Sequence, residues 1–433
     1  MVVDIQIAPA DEGAVRAHLQ SLAAVRERAA AVYALGEAGR LDHFTLHPER
    51  LDAVADYVAA LIRRDYAHPT DVPPHSRWRH FTVGGVDRVA DLLARWPRDS
   101  PEAQREATRR VLDLFVVSVL LDAGAGDAWT YREAATGQVL RRSEGLAVAS
   151  LDLFLSGAFS GSPGTDPCRV DGLGLQALTV ETLRKGFQVT DENPLVGLDG
   201  RCTLLRRLGE ALETQATYFA APAGVAPRPG HLLDYLLTCA GNGSTTVALA
   251  DLWTAVLQGF GGVWPPTRTL LNGRSLGDVW LCPSLPATAP ADRLVPFHKL
   301  SQWLTYSLLE PLTALMGIEV TGLEALTGLP EYRNGGLFID LGVLVYKDAP
   351  AGEEVPTLEV DDPAVVEWRA LTVILLDLTA ARVRTRFGLS ERELPLAQVL
   401  EGGTWKAGRE IAAERRPATR GPPLAIRSDG TVF

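Results

Sequence analysis

Apolar residues recur at helical spacing through most of this chain, and proline- and glycine-rich breaks cut the periodic stretches into single-helix lengths. Residues 14–37 and 51–63, rich in Ala, Leu, Arg and Glu, read as helices. A proline-broken stretch, 68–74, leads into His75-Ser76-Arg77-Trp78-Arg79-His80-Phe81, dense in polar and aromatic groups. Ser100 is placed to cap a helix with Pro101 at its first position. That helix turns strongly apolar over 111–121, and Asp122-Ala123-Gly124-Ala125-Gly126 then permits a sharp turn. Residues 129–132 suit a short strand. Further helices are expected at 144–157, 181–187, 200–219, 231–239 and 247–257, with loops at 160–167, 284–290 and 348–363. No internal repeat is visible. The pattern predicts a mainly α protein with short β pieces: one helical domain over 1–387 and a C-terminal extension over 388–433 packed on the core.

The length, 433 residues, suffices for one large or two ordinary domains, and 46% hydrophobic with 22% charged residues is ordinary for a globular core. A net charge of −11 repels nucleic-acid phosphates and argues against broad polynucleotide binding, though a small basic pocket for one phosphate is compatible with it. All but four of the 42 basic residues are arginine, so an isolated lysine in an apolar setting draws attention. The four cysteines lie too far apart for a CxxC pair, and His75, His80, His231 and His298 are scattered with no HExxH pattern. No metal and no cofactor are expected. The first residues lack the basic start and apolar core of a signal peptide, and no apolar run approaches the length of a membrane span. The expected location is cytoplasmic, with no membrane partner.

Three segments carry chemistry. In Val295-Pro296-Phe297-His298-Lys299-Leu300-Ser301-Gln302-Trp303-Leu304-Thr305-Tyr306, Pro296 suits the first turn of a helix that Pro311 would stop. Lys299, Gln302, Trp303 and Tyr306 then share one face, and Leu300, Leu304 and Leu308 another. A lysine at a helix N-terminus opposes the macrodipole, a cost that an anionic ligand offsets; the competing reading is a solvated surface with aromatics in the core. In Leu326-Thr327-Gly328-Leu329-Pro330-Glu331-Tyr332-Arg333-Asn334-Gly335-Gly336, Glu331 and Arg333 sit beside flexible backbone in a helix–turn–helix pattern. The alternative there is a helix cap with Glu331 paired to Arg333. Glu367-Trp368-Arg369-Ala370 begins an apolar helix, and Glu367 is either an exposed partner or a group that orients an active-site base.

In this order the segments resemble the queuosine salvage family, queuosine 5′-phosphate N-glycosidases related in fold to helix-hairpin-helix DNA glycosylases. That family carries Phe-x-Lys-x-x-Gln, then Asp-Tyr-Arg, Gly-Val-Leu and Glu-x-Arg-Ala. Here Phe297-His298-Lys299-Leu300-Ser301-Gln302, Glu331-Tyr332-Arg333, Gly342-Val343-Leu344 and Glu367-Trp368-Arg369-Ala370 match, with Glu331 in place of Asp. Asn334-Gly335-Gly336 replaces the usual Val-Pro-Gln, and the segment after Gly388 has no counterpart. The chain as a whole looks closer to the fungal and bacterial uracil-catabolism proteins, long described as a domain of unknown function. Residues 75–81, 121–126, 143–146, 295–306, 326–336, 401–412 and 429–433 carry that resemblance.

The two resemblances together imply hydrolysis of the N-ribosidic bond of a ureido ribose 5-phosphate, releasing urea and ribose 5-phosphate. The implied fold is helical and glycosylase-like. Glu331 would stabilise the oxocarbenium-like state and orient water, and Lys299 would hold the 5′-phosphate or keep Glu331 ionised. Arg333 and His298 would serve the same phosphate, with Gln302 on the Lys299 face. Trp303, Trp129 or Tyr131 would wall the leaving group, and Asp122 and Glu144 would accept hydrogen bonds from it or from the ribose. Glu367 and Arg369 would complete the site, and Glu401, Trp405 and Arg409 would close it. The implied partner is a small phosphorylated ribosyl substrate, with no nucleic acid. A metal-dependent amidohydrolase acting on the ureido group, or a non-catalytic regulator or scaffold of the uracil pathway, are the alternatives.

Overall fold

The computed structural model describes residues 3–126, 128–241, 243–265, 268–349 and 357–427. Residues 350–356 of the loop expected over 348–363, and the segment 429–433, lie outside them. Among the described residues the protein is mainly α with short strands, and no helix is long and apolar enough to cross a membrane. Ten helices frame the site. They are α1 (Leu22–Glu37), α2 (Leu51–Asp65), α3 (Arg77–Phe81), α4 (Pro101–Leu120), α5 (Arg142–Leu155), α6 (Leu198–Thr214), α7 (Lys299–Met316), α8 (Tyr332–Asp340), α9 (Pro363–Phe387) and α10 (Trp405–Arg415).

Local chemistry sets their ends. Ser100 accepts the Ala103 N–H at 3.2 Å with Pro101 behind it, as the sequence suggests. The helix expected over 14–37 is two: Ser21 is extended and accepts the Ala24 N–H, so the chain stops at Leu19 and restarts at Leu22. Pro311 does not stop α7 but lies within it. Buried Leu308 and Leu312 hold the helix in the core on either side of the proline, and it ends at Gly317 in the left-handed conformation. Nor does Pro296 open that helix. It belongs to the strand Leu294–Pro296, paired antiparallel with Val279–Leu281, and His298 at φ 48° turns the chain into α7.

One contiguous core runs from Leu22 to Leu424. At its centre α4 packs along α7, while α9 packs on α1 and α2. α10 lies against α8, and the last strand, Ala425–Ile426, pairs in parallel with Thr357–Leu358. Buried Leu396, Val399, Leu400, Ala407, Ile411 and Leu424 bind this C-terminal stretch to the rest of the core.

Candidate functional site

A cavity of about 350 Å³ opens where α3, α7, α8 and α10 meet, within the size range of small-molecule pockets. Lys299 and Trp303 face it from α7, Leu329 and Glu331 from the loop before α8, and Tyr332 and Arg333 from the first turn of α8. His75 flanks it from just before α3 and His80 from α3, Asp122 to Gly126 from the turn after α4, and Trp405 from α10. The final stretch, from Arg420 to Arg427, borders it too.

Lys299 stands at the start of α7 because Asp278 caps that end, accepting the Lys299 N–H at 2.8 Å. The cap is a buried carboxylate in a bidentate pair with Arg369, both bonds 2.8 Å, and it also accepts the Trp280 Nε1–H at 2.6 Å. Burial alone would raise the Asp278 pKa, but Arg369 and these donors hold it far below the carboxylate range. The macrodipole cost of a lysine there is therefore offset by a resident anion. The Lys299 ammonium makes no hydrogen bond among the described residues. Its pKa is lowered by burial, against the attraction of Glu331 and Asp122.

Glu331 is the N-cap of α8. Its two carboxylate oxygens accept the Arg333 and Asn334 N–H groups at 2.9 and 2.6 Å, which orients the side chain rigidly and places it on the positive end of the helix. It caps through backbone rather than pairing with Arg333. The Arg333 guanidinium is buried, lies 4.9 Å from the Trp405 ring centroid and 5.6 Å from that of Tyr332, and its two terminal nitrogens have no hydrogen-bond partner among the described residues. The flexible backbone read at Gly335 and Gly336 serves packing instead. A Cβ on Gly335 would fall 2.7 Å from the Trp368 ring, so the glycine lets α8 lie directly on α9.

On the opposite wall Asp122 is held by Arg77 at 2.9 Å and by the Trp303 Nε1–H at 3.2 Å. Burial opposes its charge, yet Arg77, His80 and Lys299 bring its pKa down to about 2. Fully buried Arg201 fixes the glycine-rich turn by donating to the carbonyls of Leu121, Ala123 and Gly124 at 2.8 to 3.1 Å. His75 and His80 pack their rings on Trp303 and Trp405, with centroids 4.6 to 5.8 Å apart. Among the described residues no three His, Cys, Asp or Glu side chains come together as a metal-holding group.

The chain matches the family described as "Protein of unknown function (DUF1688)" over residues 18–433. It belongs to that family. It is 41% identical to "Uracil catabolism protein 4" of Lachancea kluyveri over 440 residues, covering 96% of this chain and 98% of that protein. It is 44% identical to "Protein urg3" of Schizosaccharomyces pombe over 420 residues, with the same coverage of each.

Of the residues singled out from the sequence, Lys299, Trp303, Glu331, Arg333, Asp122 and Trp405 line the cavity together. Glu144 and Arg409 stand beside it as an ion pair at 2.5 Å that ties α5 to α10, with Arg409 stacked on Trp405 at 4.9 Å. Glu401 stands behind His75.

The others do not line the cavity. His298 is buried on the far side, its Nε2 2.8 Å from the Leu19 carbonyl and its ring against Trp253. Gln302 instead latches the loop before α8, donating to Thr327 Oγ1 at 2.8 Å and accepting the Thr327 N–H at 2.9 Å. Arg369 holds Asp278 and also reaches the Pro330 carbonyl at 3.3 Å. Glu367 accepts the N–H groups of Asp42 and His43, each at 3.0 Å. Trp129 donates to the Phe187 carbonyl at 2.9 Å and Tyr131 to Asp152 at 2.6 Å, so both brace α5 from behind. His75 and Arg77 lie in the 75–81 segment that carries the family resemblance, but the sequence assigns them no site role, and it gives no sign of Arg201. A lone basic residue gives no signal until the fold supplies its partners.

Proposed function

We propose that this protein hydrolyses the N-ribosidic bond of a ureido ribose 5-phosphate in uracil catabolism, releasing urea and ribose 5-phosphate. The observation that carries the reading is the juxtaposition of a rigidly capped carboxylate, Glu331, and an unbonded ammonium, Lys299, on one small cavity. The name of one relative supports the pathway: it is called a uracil catabolism protein and is similar over nearly the full length.

Cleavage at C1′ develops positive charge on the sugar. The Glu331 carboxylate, fixed by two backbone N–H groups, stabilises that charge without reorganising and accepts a proton from the attacking water. Lys299 and Arg333 supply the cationic surface for the phosphate. The stacked Arg333 guanidinium, with both terminal nitrogens unpartnered within the described chain, matches a bidentate phosphate contact. Asp122 offers acceptor oxygens to ribose hydroxyls or to the ureido NH₂.

Incubating the protein with ribosylurea 5-phosphate and with uridine nucleotides, and identifying products by mass spectrometry, tests the reading. Urea and ribose 5-phosphate from the ureido substrate are expected. Ammonia with the ribosidic bond intact would replace it with an amidohydrolase, and no turnover of any substrate would leave a regulator or scaffold.

A further inference from the structure

Behind the aromatic end of the cavity, His75 Nδ1 stands 2.5 Å from Glu401 Oε2. These residues are 326 positions apart in sequence, and several features converge to hold them together. His75 donates its backbone N–H to the Ala397 carbonyl at 3.0 Å, which ties the start of α3 to the C-terminal segment. Glu401 lies in a π-helical turn, Leu400–Thr404, set between the short helix Leu396–Val399 and α10. Such turns are rare and widen the helix locally, re-aiming the side chains on it. Two glycines let this one press on the core: a Cβ on Gly402 would fall 2.7 Å from Val72, and one on Gly403 2.7 Å from Val58. The turn is thereby fixed with Glu401 on the imidazole and Trp405 on the cavity.

Only 4% of His75 is exposed, and it lines the cavity, packed at 4.6 Å on Trp303. Its Nε2 makes no hydrogen bond among the described residues. A carboxylate on one ring nitrogen fixes the orientation of the ring and leaves the second nitrogen for a ligand. His80 is not equivalent, because its Nδ1 faces the guanidinium of Arg77 at 3.1 Å.

We infer that His75, positioned by Glu401, is the general acid that protonates the departing nitrogen. This rests on the N-glycosidase reading. Breaking C1′–N sends the bonding pair to a ureido nitrogen, whose anion is a poor leaving group. The imidazolium gives its Nε2 proton to that nitrogen as the bond breaks. Water adds its oxygen to C1′ and its proton goes to Glu331, and solvent exchange returns a proton from Glu331 to His75. The sum is substrate plus water giving urea and ribose 5-phosphate. Glu401 is a positioning residue, and it lies in the segment after Gly388, which has no counterpart in the salvage enzymes.

The test compares ribosylurea 5-phosphate with 4-nitrophenyl ribofuranoside 5-phosphate, whose leaving group departs without a proton. His75→Gln in the full chain is expected to lose about 100-fold or more in kcat on the first substrate, and at least tenfold less than that on the second. Glu401→Gln should follow the same pattern with little change in KM. Equal losses on both substrates, or no loss on the ureido substrate, would overturn the inference and leave the reaction standing. If wild type cleaves only the ureido substrate, rescue of His75→Ala by added imidazole decides: recovery supports the role and its absence ends it. If wild type cleaves neither, the reaction itself fails and the inference with it.

Discussion

Arg369 and Asp278 form a buried bidentate ion pair on which both halves of the site hang. Asp278 caps the helix that begins with Lys299, and Arg369 reaches on to the Pro330 carbonyl next to Glu331. Removing one partner strands the other charge in the core. Arg369→Ala is therefore expected to destabilise the protein by about 3–5 kcal/mol, read by denaturant unfolding. Arg369→Lys should recover only part of that, since an ammonium cannot span both carboxylate oxygens. A loss under about 1 kcal/mol in Arg369→Ala would show that the pair does not organise the site.

How far the site was legible follows from this pair. The Phe-x-Lys-x-x-Gln pattern marked the right helix, and helical spacing marked a polar face. On that face, however, neighbours at i and i+4 diverge in pairs. Lys299 and Trp303 turn to the cavity, while Gln302 and Tyr306 turn to Thr327 and hold the loop before α8. Spacing cannot separate a ligand-facing pair from a loop-facing pair one step around the helix, because both need polar groups. Glu367 and Arg369 read as site residues through the Glu-x-Arg-Ala match, yet in the structure they are buried structural groups whose partners, the Asp42 and His43 N–H groups and Asp278, lie far off in sequence. Secondary structure was readable where local chemistry ruled, as at Ser100. It was misread where tertiary packing overrode it, as at Pro311.

His80 gives a stability signature in pH. Burial, reinforced by Arg77, pushes its pKa from 6.5 down to about 4. Between those values the unfolded chain binds the proton and the folded chain does not. The contribution is therefore complete above about pH 6.5 and is lost as pH falls toward 4. Urea unfolding at intervals from pH 7 to 4 should show falling stability, and His80→Gln should flatten the slope. His231, also lowered to about 4, adds a second slope in the same window, so His231→Gln is the companion measurement. An unchanged slope in the double variant would mean that neither ring is held neutral.

Arg333 and Arg409 both lie against the Trp405 ring, each guanidinium carbon 4.9 Å from the ring centroid. Desolvated cation–π contacts are worth about 1–2 kcal/mol, or roughly a 5- to 30-fold change in binding. Trp405→Leu keeps apolar bulk but removes the ring face. The expected result is a rise in KM of that size for the phosphorylated substrate, with the dephosphorylated nucleoside affected less. If both substrates weaken equally, Trp405 packs the wall without setting up an anion site.

Glu331 decides the central proposal. Its carboxylate has two separable duties: capping α8 through the Arg333 and Asn334 N–H groups, and presenting negative charge to the cavity beside Lys299. Glu331→Gln keeps the length and one acceptor oxygen, so the cap is weakened but not removed, at a cost within the ~0.5–2 kcal/mol spanned by losing a cap entirely. The charge is lost outright. Electrostatic stabilisation of this kind is worth about 100- to 1000-fold in rate, so single-turnover rates should fall by that factor while substrate affinity holds. Glu331→Asp restores the residue of the salvage enzymes and keeps the charge, but draws it back by one methylene, and partial activity is expected. Lys299→Ala should weaken substrate binding more than the chemical step. The cap also supplies an internal control, because Glu331→Ala should lose stability as well as rate, whereas Glu331→Gln loses chiefly rate. Wild-type turnover in a Glu331→Gln protein whose melting temperature is near native would reduce Glu331 to a helix cap and remove it from the chemistry.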